Sequence, residues 1–137
     1  MKRTAKAHWE GTLKEGKGTI STPSGILENT NYSFKTRFEE GEKGTNPEEL
    51  LAAAHAGCFT MAVSAMLTAK GFKPTTLDTE AIVSMEGLAV TGVHLIMNGG
   101  PEGISIADFE AVVKEAEKTC IISKVLSVPI TSEVRFI

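Results

Sequence analysis

The pattern of apolar and polar positions changes most sharply between residues 46 and 71. From residue 50 to residue 69 no side chain carries a fixed charge. Asn46 is a favoured N-cap residue, Pro47 suits the first helical position, and Gly71 is typical of a helix end. The pattern therefore predicts one long helix. A helix that is apolar on every side is expected to be buried.

Alternating apolar and polar residues predict strands before and after this helix. The predicted strands are 5–13, 19–22, 31–38, 77–85, 89–97 and 129–137. A second helix is predicted over 105–119, with one more helical turn at 121–126. Its apolar stripe consists of Ile106, Phe109, Val112, Val113, Ala116 and Cys120. This order of elements predicts an α+β fold, formed as a single domain over 1–137.

The long apolar helix raises the question of what covers it. A run of this length could cross a membrane. However, it is rich in Ala, Ser and Thr, and its flanks are typical of an ordinary soluble domain, so we expect no membrane partner. A chain of 137 residues has little material to wrap such a helix on every side. A second copy of the chain is the natural supplier of the missing cover.

Charge and composition exclude some classes of protein. The net charge is -3 and there is no run of Lys or Arg, so we expect no nucleic-acid partner. The first residues include basic side chains but no apolar segment of the kind found in secretory signals. Together with the presence of only two cysteines, this predicts a reducing, cytoplasmic location.

The two cysteines, Cys58 and Cys120, are the first candidates for chemistry. They do not form a CxxC motif, and each alone could be an inert buried residue. Both lie on predicted helices that must pack in one small core, so they could meet. A reactive cysteine must be a thiolate, which needs a nearby cation when no helix N-terminus is available. Arg37, ahead of the loop into the long helix, is the best candidate for that cation.

The histidines suggest a second kind of chemistry. His55 lies three residues before Cys58, and a Cys–His pair for acyl transfer is an alternative. His8, His55 and His94 have no metal-binding spacing, and the glycines form no phosphate-binding loop. We therefore expect neither a metal nor a cofactor.

Three segments, AHWEG, TRFEEGEKGTNPEELLAAAHAGCF and CIISKVLS, carry a family resemblance. With them the sequence resembles the OsmC/Ohr family over nearly its whole length, and the OsmC branch in particular. The resemblance implies a thiol-dependent peroxidase that reduces organic hydroperoxides and hydrogen peroxide through a cysteine sulfenic acid and an intramolecular disulfide. It also implies an OsmC-like fold in which antiparallel sheets wrap around long central helices. The expected assembly is an intertwined homodimer with two active sites at the subunit interface.

The resemblance assigns roles to four residues. Cys58 matches the peroxidatic cysteine, Cys120 the resolving cysteine, Arg37 the catalytic arginine and Glu48 the glutamate that holds it. An external dithiol, in some members a lipoylated protein, would reopen the disulfide. One position departs from the family pattern, because Ile121 follows the second cysteine where the family usually has proline.

Helix geometry adds one expectation. Glu48 and Cys58 are ten residues apart on one predicted helix, which separates them by ~15 Å along its axis. We therefore expect Glu48 to serve the Cys58 of the other subunit. Phe34, Phe59 and Met61 could line the peroxide pocket or belong to the core. The remaining alternative is a non-enzymatic member of the same fold that binds ligands or stress partners and has structural thiols.

Overall fold

The computed structural model describes residues 1–73 and 76–136. For residue 136 it describes the backbone alone. It divides into two compact units, Met1–Leu50 and Leu51–Ile137. The single domain over 1–137 stays a prediction, and the end of the predicted strand 129–137 lies outside the described residues. The elements in chain order are β1 Lys6–Glu10, β2 Lys17–Ser21, β3 Thr30–Tyr32, α1 Phe34–Phe38, α2 Pro47–Ala69, β4 Leu77–Glu86, β5 Ala89–Gly99, α3 Ile106–Thr119, α4 Ile121–Val125 and β6 Ile130–Phe136.

The first unit is built on an antiparallel sheet in which β2 lies between β1 and β3. Two aromatic rings pack across it, with the centroids of Trp9 and Tyr32 5.5 Å apart. Gly18 lies beneath both rings. A Cβ atom at this position would stand 2.5 Å from Tyr32 and 2.6 Å from Trp9. Only glycine leaves room for this pair to pack.

The predicted strand 31–38 is wrong for its second half. The structure ends β3 at Tyr32 and begins the short helix α1 at Phe34. Ser33 and Thr36 form a capping box, in which each side chain accepts a hydrogen bond from the backbone N–H of the other. Phe34 and Phe38 are one helical turn apart, with ring centroids 5.0 Å from each other. Residues four positions apart lie on the same side of a strand and also on the same side of a helix, so this spacing fits both structures. The capping box selects the helix.

The second unit contains a sheet in which β5 lies between β4 and β6. β4 and β5 form an antiparallel hairpin, whereas β5 and β6 are parallel. The sheet is therefore mixed rather than wholly antiparallel, because the chain passes through α3 and α4 before it returns as β6. The predicted strands at 77–85 and 89–97 and the α+β class are confirmed.

Both ends of α2 follow the sequence pattern. The Oδ1 atom of Asn46 accepts a hydrogen bond from the backbone N–H of Glu49 at 2.8 Å, as an N-cap side chain does. At the other end Gly71 has a φ of +90°, and the N–H of Phe72 donates to the carbonyl of Leu67 at 3.0 Å. A glycine in this left-handed conformation is a common helix end. The predicted boundaries of the long helix are confirmed.

The single chain buries α2 on one side only, and the cover expected from a second copy stays a prediction. One stripe is buried, at one-turn intervals, and consists of His55, Phe59, Val63 and Leu67. It packs in a core with apolar residues of β5 and α3. By contrast, Met61 is 75% exposed. By length and composition alone α2 could cross a membrane. Its buried stripe is part of the core of the second unit, whereas most of its most apolar window is not covered by the single chain, with 22% of that window buried.

The second helix also follows its predicted stripe, with one exception. Ser105 caps α3 by accepting a hydrogen bond from the N–H of Asp108 at 3.1 Å. The stripe from Phe109 to Cys120 is buried. Ile106, at the first position of the helix, is exposed.

Candidate active site

The two cysteines line one cavity in the second unit. Cys58 is half-buried in the middle of α2, and Cys120 is buried at the junction of α3 and α4. Both are free thiols. The cavity has a volume of about 640 Å³ and is lined mainly by apolar side chains, among them Met61, Ala62 and Ile122. The expectation that the two cysteines could meet is supported, since both open onto the same apolar space.

Cys120 is held by the start of α4. Its backbone has φ −63° and ψ 146°, and its sulfur acts as the N-cap acceptor of this helix. The N–H of Ser123 donates to Cys120 Sγ at 3.3 Å, and Ser123 Oγ lies 3.0 Å from the same sulfur. The sequence pattern did not single out Ser123. The signal available in the sequence was the spacing of a capping box: a possible capping residue, Cys120, is followed three positions later by Ser123, whose side chain can hydrogen-bond to the cap.

The side chain of His55 is hydrogen-bonded to Ser123 and not to Cys58. Its side chain is fully buried, and its Nε2 atom lies 2.7 Å from Ser123 Oγ. Burial lowers the pKa of His55, so the imidazole is neutral at pH 7. Within residues 1–73 and 76–136, no hydrogen bond joins His55 to Cys58, and His55 Nδ1 has no partner. The Cys–His pair considered for acyl transfer is therefore not formed.

In the first unit, Arg37 and Glu48 form the predicted ion pair. Arg37 Nε lies 3.0 Å and 3.1 Å from the two carboxylate oxygens, and Arg37 Nη2 lies 2.6 Å from Oε1. Glu48 is largely covered while Arg37 is half exposed. This two-pronged contact fixes the plane of the guanidinium and leaves its outer N–H groups to bind another acceptor. The pairing is confirmed, and the catalytic roles of both residues stay predictions.

An aromatic cavity of about 280 Å³ lies beside Arg37 in the same unit. Its lining residues are Trp9, Leu13, Tyr32, Ser33, Phe34, Arg37, Phe38 and Pro47. Of the residues proposed from the sequence as pocket or core, Phe34 lines this cavity, Met61 lines the cysteine cavity, and Phe59 belongs to the core. The roles of Trp9 and Tyr32 were not predicted, because distant aromatic residues meet only after the sheet has formed.

Comparison with known proteins assigns this arrangement to a family. The sequence model of the OsmC-like proteins matches residues 40–135. The chain belongs to the OsmC family. It is 49% identical over 133 residues to Peroxiredoxin OsmC of Escherichia coli, covering 94% of this chain and 92% of that protein. It is also 36% identical over 104 residues to the organic hydroperoxide resistance protein OhrA of Bacillus subtilis, covering 72% of each.

Solved structures show the same fold for this OsmC-family chain. The crystal structure of the organic hydroperoxide resistance protein OhrB of Bacillus subtilis superposes with a TM-score of 0.70 at 23% identity. The match covers 96% of this chain and 98% of OhrB. At this level of identity the likeness speaks for the fold alone. Among the described residues, no cluster of three or more His, Cys, Asp or Glu side chains could hold a metal ion.

The departure from the OsmC-family pattern at Ile121 leads to a prediction. Cys120 already has the backbone conformation that precedes proline, and Ile121 occupies the first position of α4, where proline is favoured. We expect Ile121→Pro to raise the free energy of unfolding by about 0.5–1 kcal/mol, because proline restricts the unfolded chain. Urea denaturation measures this change.

Val125→Pro is the matched control for this substitution. Val125 is 71% exposed and Ile121 70%, but Val125 lies in the last turn of α4, where proline removes a helical hydrogen bond. This variant should be destabilised. If Ile121→Pro were destabilised as strongly, the start of α4 would not have the proline-compatible backbone described above.

Proposed function

We propose that this chain reduces organic hydroperoxides, and hydrogen peroxide, to the corresponding alcohols or water. The observation that carries the proposal is the pair of free cysteines on one apolar cavity in a member of the OsmC family. The names of its relatives, Peroxiredoxin OsmC and the organic hydroperoxide resistance protein OhrA, indicate a cysteine-based peroxide reductase. These relatives do not favour the alternative of a non-enzymatic binding protein.

Cys58 is the proposed nucleophile. Its thiolate attacks the distal oxygen of the hydroperoxide, the O–O bond breaks, and the alcohol leaves after it takes up a proton. The sulfur is oxidised to a sulfenic acid and the peroxide is reduced. The half-buried position of Cys58 admits a substrate, and the apolar lining of the cavity suits a substrate with a hydrocarbon chain.

Arg37 is proposed to provide the positive charge that this step requires. Its outer N–H groups would hold the thiolate and the peroxide oxygens and stabilise the charge that develops between them. Glu48 fixes the guanidinium through the two-pronged contact, so that Arg37 presents its donors in one orientation.

The two parts of the site are proposed to come from different subunits. α2 is one continuous helix from Pro47 to Ala69, so Glu48 and Cys58 are ~15 Å apart along its axis. An Arg37–Glu48 pair would have to bridge that length to reach Cys58 of its own chain. A second copy whose α2 runs in the opposite sense would bring its Arg37–Glu48 pair to Cys58.

The uncovered side of α2 supports a second copy of this chain as the partner. Exposed apolar or small residues recur at helical intervals along it, namely Ala54, Gly57, Met61 and Ala65. Ile121 continues the apolar surface beyond the cysteine cavity. Small residues on a helix allow a second helix to approach closely. We propose a homodimer that closes over the cysteine cavity.

Met61→Glu tests the proposed homodimer. A charge in the middle of the interface would be buried without a partner, so we expect the dimer to dissociate to monomers and peroxide turnover to fall with it. Light scattering coupled to size-exclusion chromatography measures the mass. Leu88→Glu is the matched control, because Leu88 is 93% exposed in the turn between β4 and β5, against 75% for Met61. A wild-type monomer, or a Met61→Glu dimer as tight as wild type, would contradict the proposal.

Cys120 is proposed to complete the cycle. Its sulfur attacks the sulfenic acid of Cys58 to form an intramolecular disulfide, and water is released. An external dithiol, for example on a lipoylated protein, then reduces the disulfide by thiol exchange. This dependence on a dithiol fits a reducing compartment, so we place the protein in the cytoplasm.

Loss of cumene hydroperoxide in the presence of a dithiol tests the proposed function directly. A peroxidase consumes the peroxide catalytically, and mass spectrometry after one equivalent of peroxide should find a Cys58–Cys120 disulfide. Slow loss without turnover would favour a non-enzymatic protein. Turnover of thioesters without peroxide activity would favour acyl transfer.

A further inference from the structure

A buried polar chain connects α2 with α4. It runs from His55 Nε2 to Ser123 Oγ over 2.7 Å, and from Ser123 Oγ to Cys120 Sγ over 3.0 Å. All three residues are buried, next to an otherwise apolar core. Burying a histidine and a serine costs free energy unless they bond each other, and an apolar pair would fill the same space. The peroxidase mechanism described so far gives no task to either residue.

The direction of the hydrogen bonds follows from the buried imidazole. Burial lowers the pKa of His55, so the ring is neutral and carries a single N–H. His55 Nδ1 has no partner among the described residues. A buried N–H without an acceptor is rarer in proteins than a buried acceptor without a donor. The hydrogen therefore belongs on Nε2, which donates it to Ser123 Oγ.

This tautomer orients the Ser123 hydroxyl. Since Ser123 Oγ accepts from His55, its own hydrogen is directed to the other neighbour, Cys120 Sγ at 3.0 Å. The backbone N–H of Ser123 donates to the same sulfur at 3.3 Å. Two donors from one residue thus converge on Cys120, and a sulfur that accepts two hydrogen bonds is suited to carry negative charge.

We propose that His55 is a positioning residue for Cys120, which it prepares to attack as a thiolate by directing the Ser123 hydroxyl onto Cys120 Sγ. The proposal rests on the proposed peroxidase function and extends it to the second step. His55 would touch neither the peroxide nor the reacting sulfur of Cys58, and would act only through Ser123.

The step it serves is balanced without any further reagent. Cys120 gives its thiol proton to water before the reaction. The thiolate then attacks the sulfenic sulfur of Cys58, the S–S bond forms and the S–O bond breaks. The Cys120 sulfur is oxidised and the Cys58 sulfur is reduced. Hydroxide leaves and takes up a proton from water, so the net products are one disulfide and one water molecule.

Ser123→Ala separates this step from the first. One equivalent of cumene hydroperoxide is added, and the reaction is quenched rapidly with a sulfenic-acid probe. Mass spectrometry then measures the formation of the sulfenic acid and of the disulfide over time. We expect sulfenic acid to form on Cys58 as in wild type and then to persist, with disulfide formation about 10-fold slower or more, because a hydrogen bond to a charged sulfur is lost. Ser127→Ala, an exposed serine four residues further on, is the control.

Two substitutions of His55 test the positioning role. His55→Gln keeps an N–H donor at about the reach of Nε2 and should retain most of the rate of disulfide formation. His55→Leu removes the donor and should slow disulfide formation as Ser123→Ala does. Rescue by glutamine would not be expected if His55 only filled space. Denaturant unfolding of all variants reports any change in stability separately.

The outcomes distinguish this proposal from the proposed function. If wild type forms no sulfenic acid on Cys58, the peroxidase function fails and the inference falls with it. If Cys58 is oxidised normally but disulfide formation in Ser123→Ala is unchanged, or if both steps slow equally, the inference alone is overturned. Nitrogen-15 NMR of the reduced wild-type protein, with His55 assigned from the variants, is independent of folding defects. A hydrogen found on Nδ1 would also overturn the inference.

Discussion

Cys58→Ser should abolish catalytic loss of organic hydroperoxide. The hydroxyl of serine is a far weaker nucleophile than a thiolate and forms no sulfenic acid, so we expect turnover to fall by about 1,000-fold or more. The rate of cumene hydroperoxide loss with a dithiol in excess measures it. The fold should be retained, because Cys58 is half-buried on the cavity wall and serine is nearly isosteric.

Cys120→Ser is the informative companion to this variant. It should react once with peroxide, because Cys58 is intact, and then stall or over-oxidise to the sulfinic acid, because no disulfide can form. Equal slow loss of peroxide in wild type and Cys58→Ser would contradict the assignment of the nucleophile. Sustained turnover by Cys120→Ser at the wild-type rate would remove the resolving role from Cys120.

Arg37→Lys is expected to have the second-largest effect. Lysine keeps the positive charge and has N–H donors, but it loses the planar fork. It therefore cannot hold Glu48 in the two-pronged contact and at the same time present its other donors in one fixed orientation. We expect the rate of the first oxidation step to fall by about 100-fold, the size of effect typical for one donor that stabilises a developing charge. Lys35→Ala, an exposed basic residue of the same helix α1, should leave that rate unchanged.

Mixed dimers decide whether Arg37 acts on its own chain or on the partner's. A subunit with Arg37→Lys retains Cys58, and a subunit with Cys58→Ser retains Arg37. If the site is shared between subunits, each mixed dimer holds one complete site, and an equal mixture should recover about a quarter of wild-type activity. If Arg37 served Cys58 of its own chain, no complete site would exist and the mixture would stay inactive.

Much of the fold could be predicted because local patterns and local energies agree. The start of α2 after the N-cap residue Asn46 and its end before Gly71 depend on capping chemistry within a few residues. The hairpin of β4 and β5 follows from alternation. The failure at 31–38 has the same origin, since the aromatic spacing fits a strand and a helix, and the hydrogen bonds between Ser33 and Thr36 are what selects α1.

The site was predictable in part. The Arg37–Glu48 pair and the two cysteines were expected from the family resemblance, and the structure contains the pair and places both thiols on one cavity. The hydrogen bond between His55 and Ser123 was not expected. Their hydrogen bond joins residues 68 positions apart in sequence, and no local pattern carries that information.

The sequence by itself determined the long apolar helix, the family, and which sulfurs and charges are available for chemistry. These properties depend on residue type and on spacing within a few turns or strands. Only the tertiary structure decided that α2 buries one stripe and leaves Met61 exposed, and that His55 bonds Ser123 and not Cys58. The reason is physical: burial and side-chain partners depend on which distant segments meet in the core, and that is set by packing of the whole unit.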